Sequence, residues 1–178
     1  MNPIFPRRAR VARPAPTFWI VLKTLFHTLT FWLAFFGVLP LVLCEFERKT
    51  PLRNCNFESR FWRFVGASGF VLAGILGVWS SLTMAIFGRG TMLPLDCAPR
   101  LVIRGPYRFI RNPMVLSGLA QMVFAGMFRG SPLTILVAIL GFFARQKLIA
   151  PWEDADLSAR FGAQWENYKA QTSEWWPR

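Results

Sequence analysis

Long apolar stretches alternate with short basic segments along the chain. The clearest stretch is 64–87, FVGASGFVLAGILGVWSSLTMAIF, which runs for 24 positions without a charge. A helix of about 20 apolar residues crosses the ~30 Å hydrocarbon core of a bilayer. A second stretch, 19–43, contains Lys23 as its one charged residue and predicts another span, which Pro40 should kink or end. The pattern therefore predicts membrane-spanning helices rather than a soluble core.

Two shorter apolar segments follow, 113–128 and 133–144, and the turn sequence RGSP separates them. They predict a helical hairpin. Each segment is short for a full crossing, which leaves tilt, local thinning of the bilayer or an incomplete crossing as alternatives. The last of these helices is expected to continue past Arg145 and Lys147 out of the bilayer. Helical spacing through WEDADLSARFGAQWENYKA, 152–170, predicts a further helix beyond it.

The predicted fold is an all-α integral membrane protein with about four transmembrane helices, the last two forming a hairpin. A Gly- and Pro-rich cytosolic connector and a cytosolic C-terminal helix complete it. The predicted boundaries are a mobile basic N-terminus at 1–18, two helices in 19–87 with an outside loop at 44–63, and a region 88–178. That last region divides into the connector 88–112, the hairpin 113–150 and the tail 151–178.

Charge then decides between two kinds of partner. The net charge is +12, which fits either nucleic acid or an anionic lipid surface, and 53% of the residues are hydrophobic. The basic residues are spread among the membrane flanks, so membrane lipids are the expected partner and nucleic acid is not. Segments 1–18, 88–112 and 145–178 hold four, five and five basic residues, against five in 44–63 and one at Arg129. This bias predicts cytosolic N- and C-termini. So short a chain suits a bacterial inner membrane or, in a eukaryote, the endoplasmic reticulum.

Metal and disulfide chemistry are not expected. The three cysteines are scattered and form no CxxC pair, and the one histidine, His27, lies in an apolar segment. His27 is either an interfacial histidine that bonds to a neighbour or a functional intramembrane group. Small residues recur at every fourth position from 69 to 81 (Gly69, Ala73, Gly77 and Ser81). That stripe predicts close helix packing, within one chain or in a dimer.

Candidate chemistry lies in RGPYRFIRNP, 104–113, and just beyond the last span. Arg104, Arg108 and Arg111 offer forked donors to a carboxylate or a phosphate, and lipid phosphates are the simpler partner. Glu153 and Asp154 are adjacent acids, which suit either a ligand or the solvated start of a helix.

Together these segments resemble the integral-membrane methyltransferases related to isoprenylcysteine carboxyl methyltransferase and phospholipid N-methyltransferase. The resemblance covers about 88–178 and departs at Met92, Val115, Asp154 and Trp165. The matching residues are Gly88, Gly90, Thr91, Pro94, Leu101, Val102, Gly105, Pro106, Tyr107, Arg108, Arg111, Asn112, Pro113, Gly118, Glu153, Asp154, Phe161, Gly162, Tyr168, Pro177 and Arg178.

The resemblance implies methyl transfer from S-adenosylmethionine at the cytosolic membrane face. The acceptor would be lipidic or hydrophobic, either the carboxylate of a prenylated cysteine-like group or a phospholipid amine. The implied cofactor-binding residues are Gly88, Gly90, Tyr107, Arg111, Asn112, Pro113, Glu153 and Asp154. Arg108, Tyr168 and Arg178 are the implied residues that close the site or orient the acceptor. The alternatives are an NADPH-dependent sterol-type membrane reductase and a non-catalytic four-helix accessory or lipid-binding protein.

Overall fold

The computed structural model of the chain describes residues 11–55, 57, 59–91 and 97–176. In this part of the chain helices dominate and no β-strand forms; Cys97 makes isolated bridges to Val11 and Thr91. The α-helices are α1 (Thr17–Trp32), α2 (Leu39–Arg48), α3 (Arg60–Thr83), α4 (Pro113–Arg129), α5 (Pro132–Ala144), α6 (Ala150–Phe161) and α7 (Ala163–Gln171). Single π-helical turns at Leu33–Val38, Met84–Gly88 and Arg145–Ile149 extend α1, α3 and α5, and 3₁₀ turns form at Pro51–Cys55 and Gly105–Arg108.

Three of these helices are long and apolar enough to cross a membrane: Thr17–Arg48, Arg60–Gly88 and Pro132–Phe161. They confirm the prediction of an integral membrane protein. Their large apolar side chains are widely exposed, as at Phe64 (73%) and Leu72 (68%), which suits a lipid environment. The other predicted span, α4, has 17 residues and is therefore about 25 Å long, shorter than the hydrocarbon core.

The first helix does not end at Pro40, contrary to one of the two predicted outcomes. The π-helical turn Leu33–Val38 precedes α2, and Pro40 lies in the first turn of α2, directly after this wider turn. The helix continues to Arg48, and α3 begins at Arg60. The polar loop is therefore shorter than the predicted 44–63. Of the predicted mobile N-terminus, 1–10 lie outside the described residues, and the backbone N–H of Ala12 donates to the Cys97 carbonyl at 3.0 Å.

The chain divides into two compact units. The first, here called the helical unit, comprises 27–77 and 114–144. Its core is formed by Phe36, Met122 and Ala138 with the aromatic and aliphatic side chains around them. The carboxylate of Glu47 is buried in this unit and accepts from the backbone N–H of Leu133 at 2.7 Å. Glu47 thus caps the N-terminus of α5 from another helix.

Small residues bring α3 and α4 close together in the helical unit, which confirms the packing role of the predicted stripe. A Cβ added to Gly69 would overlap the Phe124 ring, and one added to Gly77 would lie 2.5 Å from the Ser117 hydroxyl. The Ser117 hydroxyl also donates to the Ala73 carbonyl at 2.7 Å. Only small side chains on α3 permit this approach.

The second unit, here called the connector–tail unit, comprises the described parts of 1–26, 78–113 and 145–178. It contains the end of α3, the connector, α6, α7 and the segment that follows α7. The predicted tail helix is present as two helices, because Gly162 adopts a left-handed φ of 51° between α6 and α7. All the described site residues implied by the resemblance lie in this unit.

Candidate functional site

The GPYR sequence forms a single 3₁₀ turn that directs Tyr107 inward. Gly105 adopts a φ of 56°, and a Cβ there would lie 2.8 Å from the Thr83 hydroxyl at the end of α3. Glycine is therefore required at this corner. Pro106 and Tyr107 are buried, whereas Arg104 and Arg108 on either side of them are exposed.

Tyr168 on α7 closes over this turn. Its hydroxyl donates to the backbone carbonyl of Tyr107 at 2.5 Å, and both rings are buried. Burial raises the pKa of Tyr107 well above its usual value, and the neighbouring Tyr168 and Glu153 add to the shift. Burial also raises the pKa of Tyr168, against an opposing effect of Arg111. Both phenols therefore stay neutral and act as hydrogen-bonding and packing groups.

The next corner, Arg111-Asn112-Pro113, joins the connector to the segment after α7. The backbone N–H of Arg111 donates to the Ser173 carbonyl at 2.9 Å. The side-chain amide of Asn112 donates to Oε1 of Glu174 at 3.2 Å. Pro113 is buried as the first residue of α4, where its fixed φ suits a helix start. Two residues implied to bind the cofactor are thus held by the C-terminal segment.

Arg145 is the buried cation at the centre of this arrangement. It lies in the π-helical turn after α5, and only 8% of its side chain is exposed. Its Nη2 lies 2.8 Å from Oε2 of Glu153, and its Nη1 pairs with Oε1 of Glu174. Its guanidinium also lies 5.3 Å from the centre of the Trp175 ring. A planar guanidinium with two acidic partners fixes the positions of both acids.

Asp154, the acid next to Glu153, has different partners. The indole N–H of Trp165 donates to one carboxylate oxygen of Asp154 at 2.9 Å, and Nζ of Lys169 lies 3.0 Å from the same oxygen. The hydrogen bond to Asp154 raises the pKa of Lys169. Two departures from the family pattern therefore contact each other, because the longer Trp165 reaches the shorter Asp154.

Arg111 lies beside the same indole ring. Its guanidinium is 5.9 Å from the centre of the Trp165 ring, whose indole N–H donates to Asp154. Nε of Arg111 is buried and has no hydrogen-bond partner among the residues that the structure describes. An unsatisfied buried guanidinium N–H is costly, so this atom is suited to an anionic ligand.

Six residues implied by the resemblance therefore fall into three linked groups: Tyr107 with Tyr168, Arg111 with Asp154 through Trp165, and Asn112 with Glu153 through Glu174 and Arg145. The amino-acid end of S-adenosylmethionine needs a donor for its carboxylate and an acceptor for its amino group. Nε of Arg111, which has no partner in the described part of the chain, and the acids Glu153 and Asp154 fit these needs.

The predicted glycines are placed differently. A Cβ on Gly90 would lie 2.5 Å from the backbone N and Cα of Ala98, and one on Gly88 would lie 2.8 Å from the Val102 side chain. The groups that approach these two glycines closely are therefore other residues of the same chain. The Ala98 carbonyl in turn accepts from Nη1 of Arg160 at 3.1 Å. Gly88 and Gly90 thus build the connector, and their contact with a cofactor stays a prediction.

The predicted roles of Arg108 and Arg178 stay untested. Arg108 is exposed, and no contact links its side chain to the network within the described ranges. Arg178 lies outside the described residues, as do Pro94 and Pro177. Among the described residues, no three His, Cys, Asp or Glu side chains are grouped to hold a metal ion.

Sequence reasoning missed Arg145 and Glu174, and gave Trp165 only as a departure. Arg145 carries one signal, because it is the first charged residue after the uncharged run that follows Arg129. A charge that ends an apolar run is usually a solvated membrane flank, so its burial is visible only in the structure. Glu174 carries no sequence signal, since its partners lie 29 and 62 residues away.

Comparison with known protein families gives one match. The family model described as phospholipid methyltransferase matches residues 61–164, more than half of the chain. Comparisons with curated proteins and with solved structures gave no significant match. The matched range contains five of the six linked residues and ends before Tyr168.

Proposed function

Because the chain belongs to the phospholipid methyltransferase family, a family of membrane methyltransferases, we propose that it transfers a methyl group from S-adenosylmethionine to a lipidic or hydrophobic acceptor. The reaction takes place at the cytosolic face of the membrane. The observation that carries the proposal is this set of linked residues, in which Arg111 lies beside Trp165 and its Nε is buried with no partner among the described residues.

The proposed cofactor contacts follow from the charges of these groups. Arg111 donates to the carboxylate of the cofactor, because its Nε is buried and no described residue bonds to it. Glu153 and Asp154 accept from the amino group or from the ribose hydroxyls, since each carboxylate is already oriented by a cation. Asn112 is oriented by Glu174 at the edge of the same network. Tyr168 closes the site through the Tyr107 carbonyl.

These residues supply position rather than acid–base chemistry. S-adenosylmethionine provides an activated methyl group that a nucleophile displaces in line, without a covalent enzyme intermediate. The protein's part is to hold donor and acceptor in that line and to exclude water, which can account for much of the rate enhancement. A carboxylate acceptor needs no general base, and an amine needs only to arrive unprotonated. The neutral, buried tyrosines suit this demand for rigid positioning.

Transfer of a labelled methyl group tests the function and distinguishes a carboxylate acceptor from an amine acceptor. The purified protein is incubated with methyl-labelled S-adenosylmethionine and the lipid extract of its host membrane, and label is followed into the organic phase. Mild alkali then separates the acceptor classes, because it releases methanol from a methyl ester and leaves an N-methyl group in place. Label in the lipid fraction supports the proposal. A lipid fraction without label, from protein that is folded, contradicts it.

A further inference from the structure

Glu174 lies in the segment after α7, beyond the part of the chain that matches the family model. One of its carboxylate oxygens, Oε1, serves two donors. Nη1 of Arg145 donates to this oxygen, and so does the side-chain amide of Asn112 at 3.2 Å. The side chain is 28% exposed, so the carboxylate is largely removed from water. A single acid therefore joins the π-helical turn after α5 to the Arg-Asn-Pro corner.

Arg145 links Glu174 to Glu153. Its other terminal nitrogen, Nη2, holds Glu153 at 2.8 Å. The guanidinium is rigid and planar, so the position that Glu174 gives to Nη1 also sets the position of Nη2. Glu153 is more exposed than Arg145, at 40% against 8%, and within the described chain Arg145 is its ion-pair partner. The orientation of Glu153 therefore depends on Arg145.

We infer that Glu174 is a positioning residue for the cofactor site, acting on Glu153 through Arg145 and on Asn112 directly. The inference rests on the proposed function, because Glu153 and Asn112 are the residues proposed to bind S-adenosylmethionine. Glu174 does not need to touch the cofactor. Its carboxylate keeps one acceptor and one amide in place before the cofactor arrives, which lowers the entropy lost on binding.

A purely structural role for Glu174 makes a different prediction. If the carboxylate only anchored the C-terminal segment, its loss would reduce the fraction of competent protein and the thermal midpoint. The remaining competent molecules would bind with unchanged affinity. A positioning role instead weakens the affinity of every molecule. Calorimetric titration separates the two, because it reports the binding stoichiometry and the dissociation constant independently.

The test is titration of the full-length protein in detergent with S-adenosylmethionine, comparing wild type with Glu174→Gln. This substitution keeps the shape and removes the charge. The dissociation constant should rise about tenfold, the effect of one charge-assisted hydrogen bond, with the stoichiometry unchanged. Arg145→Lys is the second variant, since a single ammonium cannot hold both acids in the same geometry, and it should weaken binding as well.

Glu45→Gln is the matched control. Glu45 lies on α2 in the helical unit, pairs with Lys49 at 3.1 Å and contacts neither Arg145 nor Asn112 among its described partners. This variant should bind like wild type. An unchanged dissociation constant in both Glu174→Gln and Arg145→Lys would overturn the inference while leaving the proposed function intact. A wild type that does not bind at all would overturn the proposed function and the inference with it.

Discussion

Replacement of Gly66 by alanine tests how closely α3 and α4 pack. A Cβ at position 66 would lie 2.5 Å from the backbone N of Phe128, 2.7 Å from the carbonyl oxygen of Phe124 and 2.8 Å from the Cα of Phe128. All three atoms belong to the backbone of α4, so no side-chain rotation relieves the overlap. The two helices must move apart by several tenths of an ångström.

The size of the effect follows from two opposing contributions. Overpacking of this kind lowers the free energy of unfolding by about 1–3 kcal/mol, whereas replacement of glycine by alanine within a helix raises it by about 0.5–1 kcal/mol. Separation of the helices also lengthens the hydrogen bond from Ser117 to the Ala73 carbonyl, which is 2.7 Å long in the same helix pair. We therefore expect Gly66→Ala to lower the free energy of unfolding by about 1–2 kcal/mol.

Gly118→Ala is the matched control, because Gly118 lies on α4 in the same unit and a Cβ there meets no atom within 4 Å. It should leave stability unchanged or raise it by about 0.5–1 kcal/mol. The assay is unfolding in mixed micelles, followed by the midpoint of helix or tryptophan signal loss as sodium dodecyl sulfate is added. If Gly66→Ala proved as stable as Gly118→Ala, the proposed backbone contact between α3 and α4 would be refuted.

Two further predictions concern the connector–tail unit. The chain has two tyrosines, Tyr107 and Tyr168, and both have raised pKa values, so the folded protein should show no tyrosinate absorbance near 295 nm at a pH where free tyrosine ionises. Above about pH 10 only the unfolded state loses these protons, so stability should fall as pH rises through that range; tyrosinate that appears without unfolding would contradict the burial of both rings. Gly90→Ala should lower the thermal midpoint, at a cost of about 1–3 kcal/mol, because its Cβ would meet the backbone of Ala98 at 2.5 Å. A thermal melt of that variant equal to wild type would show that the connector has room at this position.

The helices were largely predictable from the sequence, because a long apolar segment in a membrane forms a helix, in which its backbone hydrogen bonds are satisfied internally. The runs at 19–43 and 64–87 correspond to helices over Thr17–Arg48 and Arg60–Gly88. The apolar runs do not reveal how a helix accommodates a proline. Pro40 follows a π-helical turn, and the helix continues past it to Arg48 instead of ending there.

Residues of the candidate site could be proposed from the sequence only where a family pattern supplied their order. Tyr107, Arg111, Asn112, Glu153 and Asp154 belong to linked groups in the structure, although nothing in their local sequence joins them. Long-range partners explain what was missed, since Arg145 and Glu174 are 29 residues apart and each looks like an ordinary surface charge. Gly90 shows a second limit of the sequence. A glycine there indicates that another group approaches the backbone closely, but only the structure identifies that group as the backbone of Ala98.

Binding of S-adenosylmethionine to the purified, folded protein tests the central claim most directly. Calorimetry should show saturable binding of S-adenosylmethionine and S-adenosylhomocysteine, and none of NADPH. Arg111→Ala and Glu153→Ala should abolish binding without unfolding the protein, whereas Arg48→Ala and Glu45→Ala, an exposed ion pair at 3.8 Å in the helical unit, should bind normally. Normal affinity in Arg111→Ala and Glu153→Ala, or no binding by folded wild type, would contradict the proposed site.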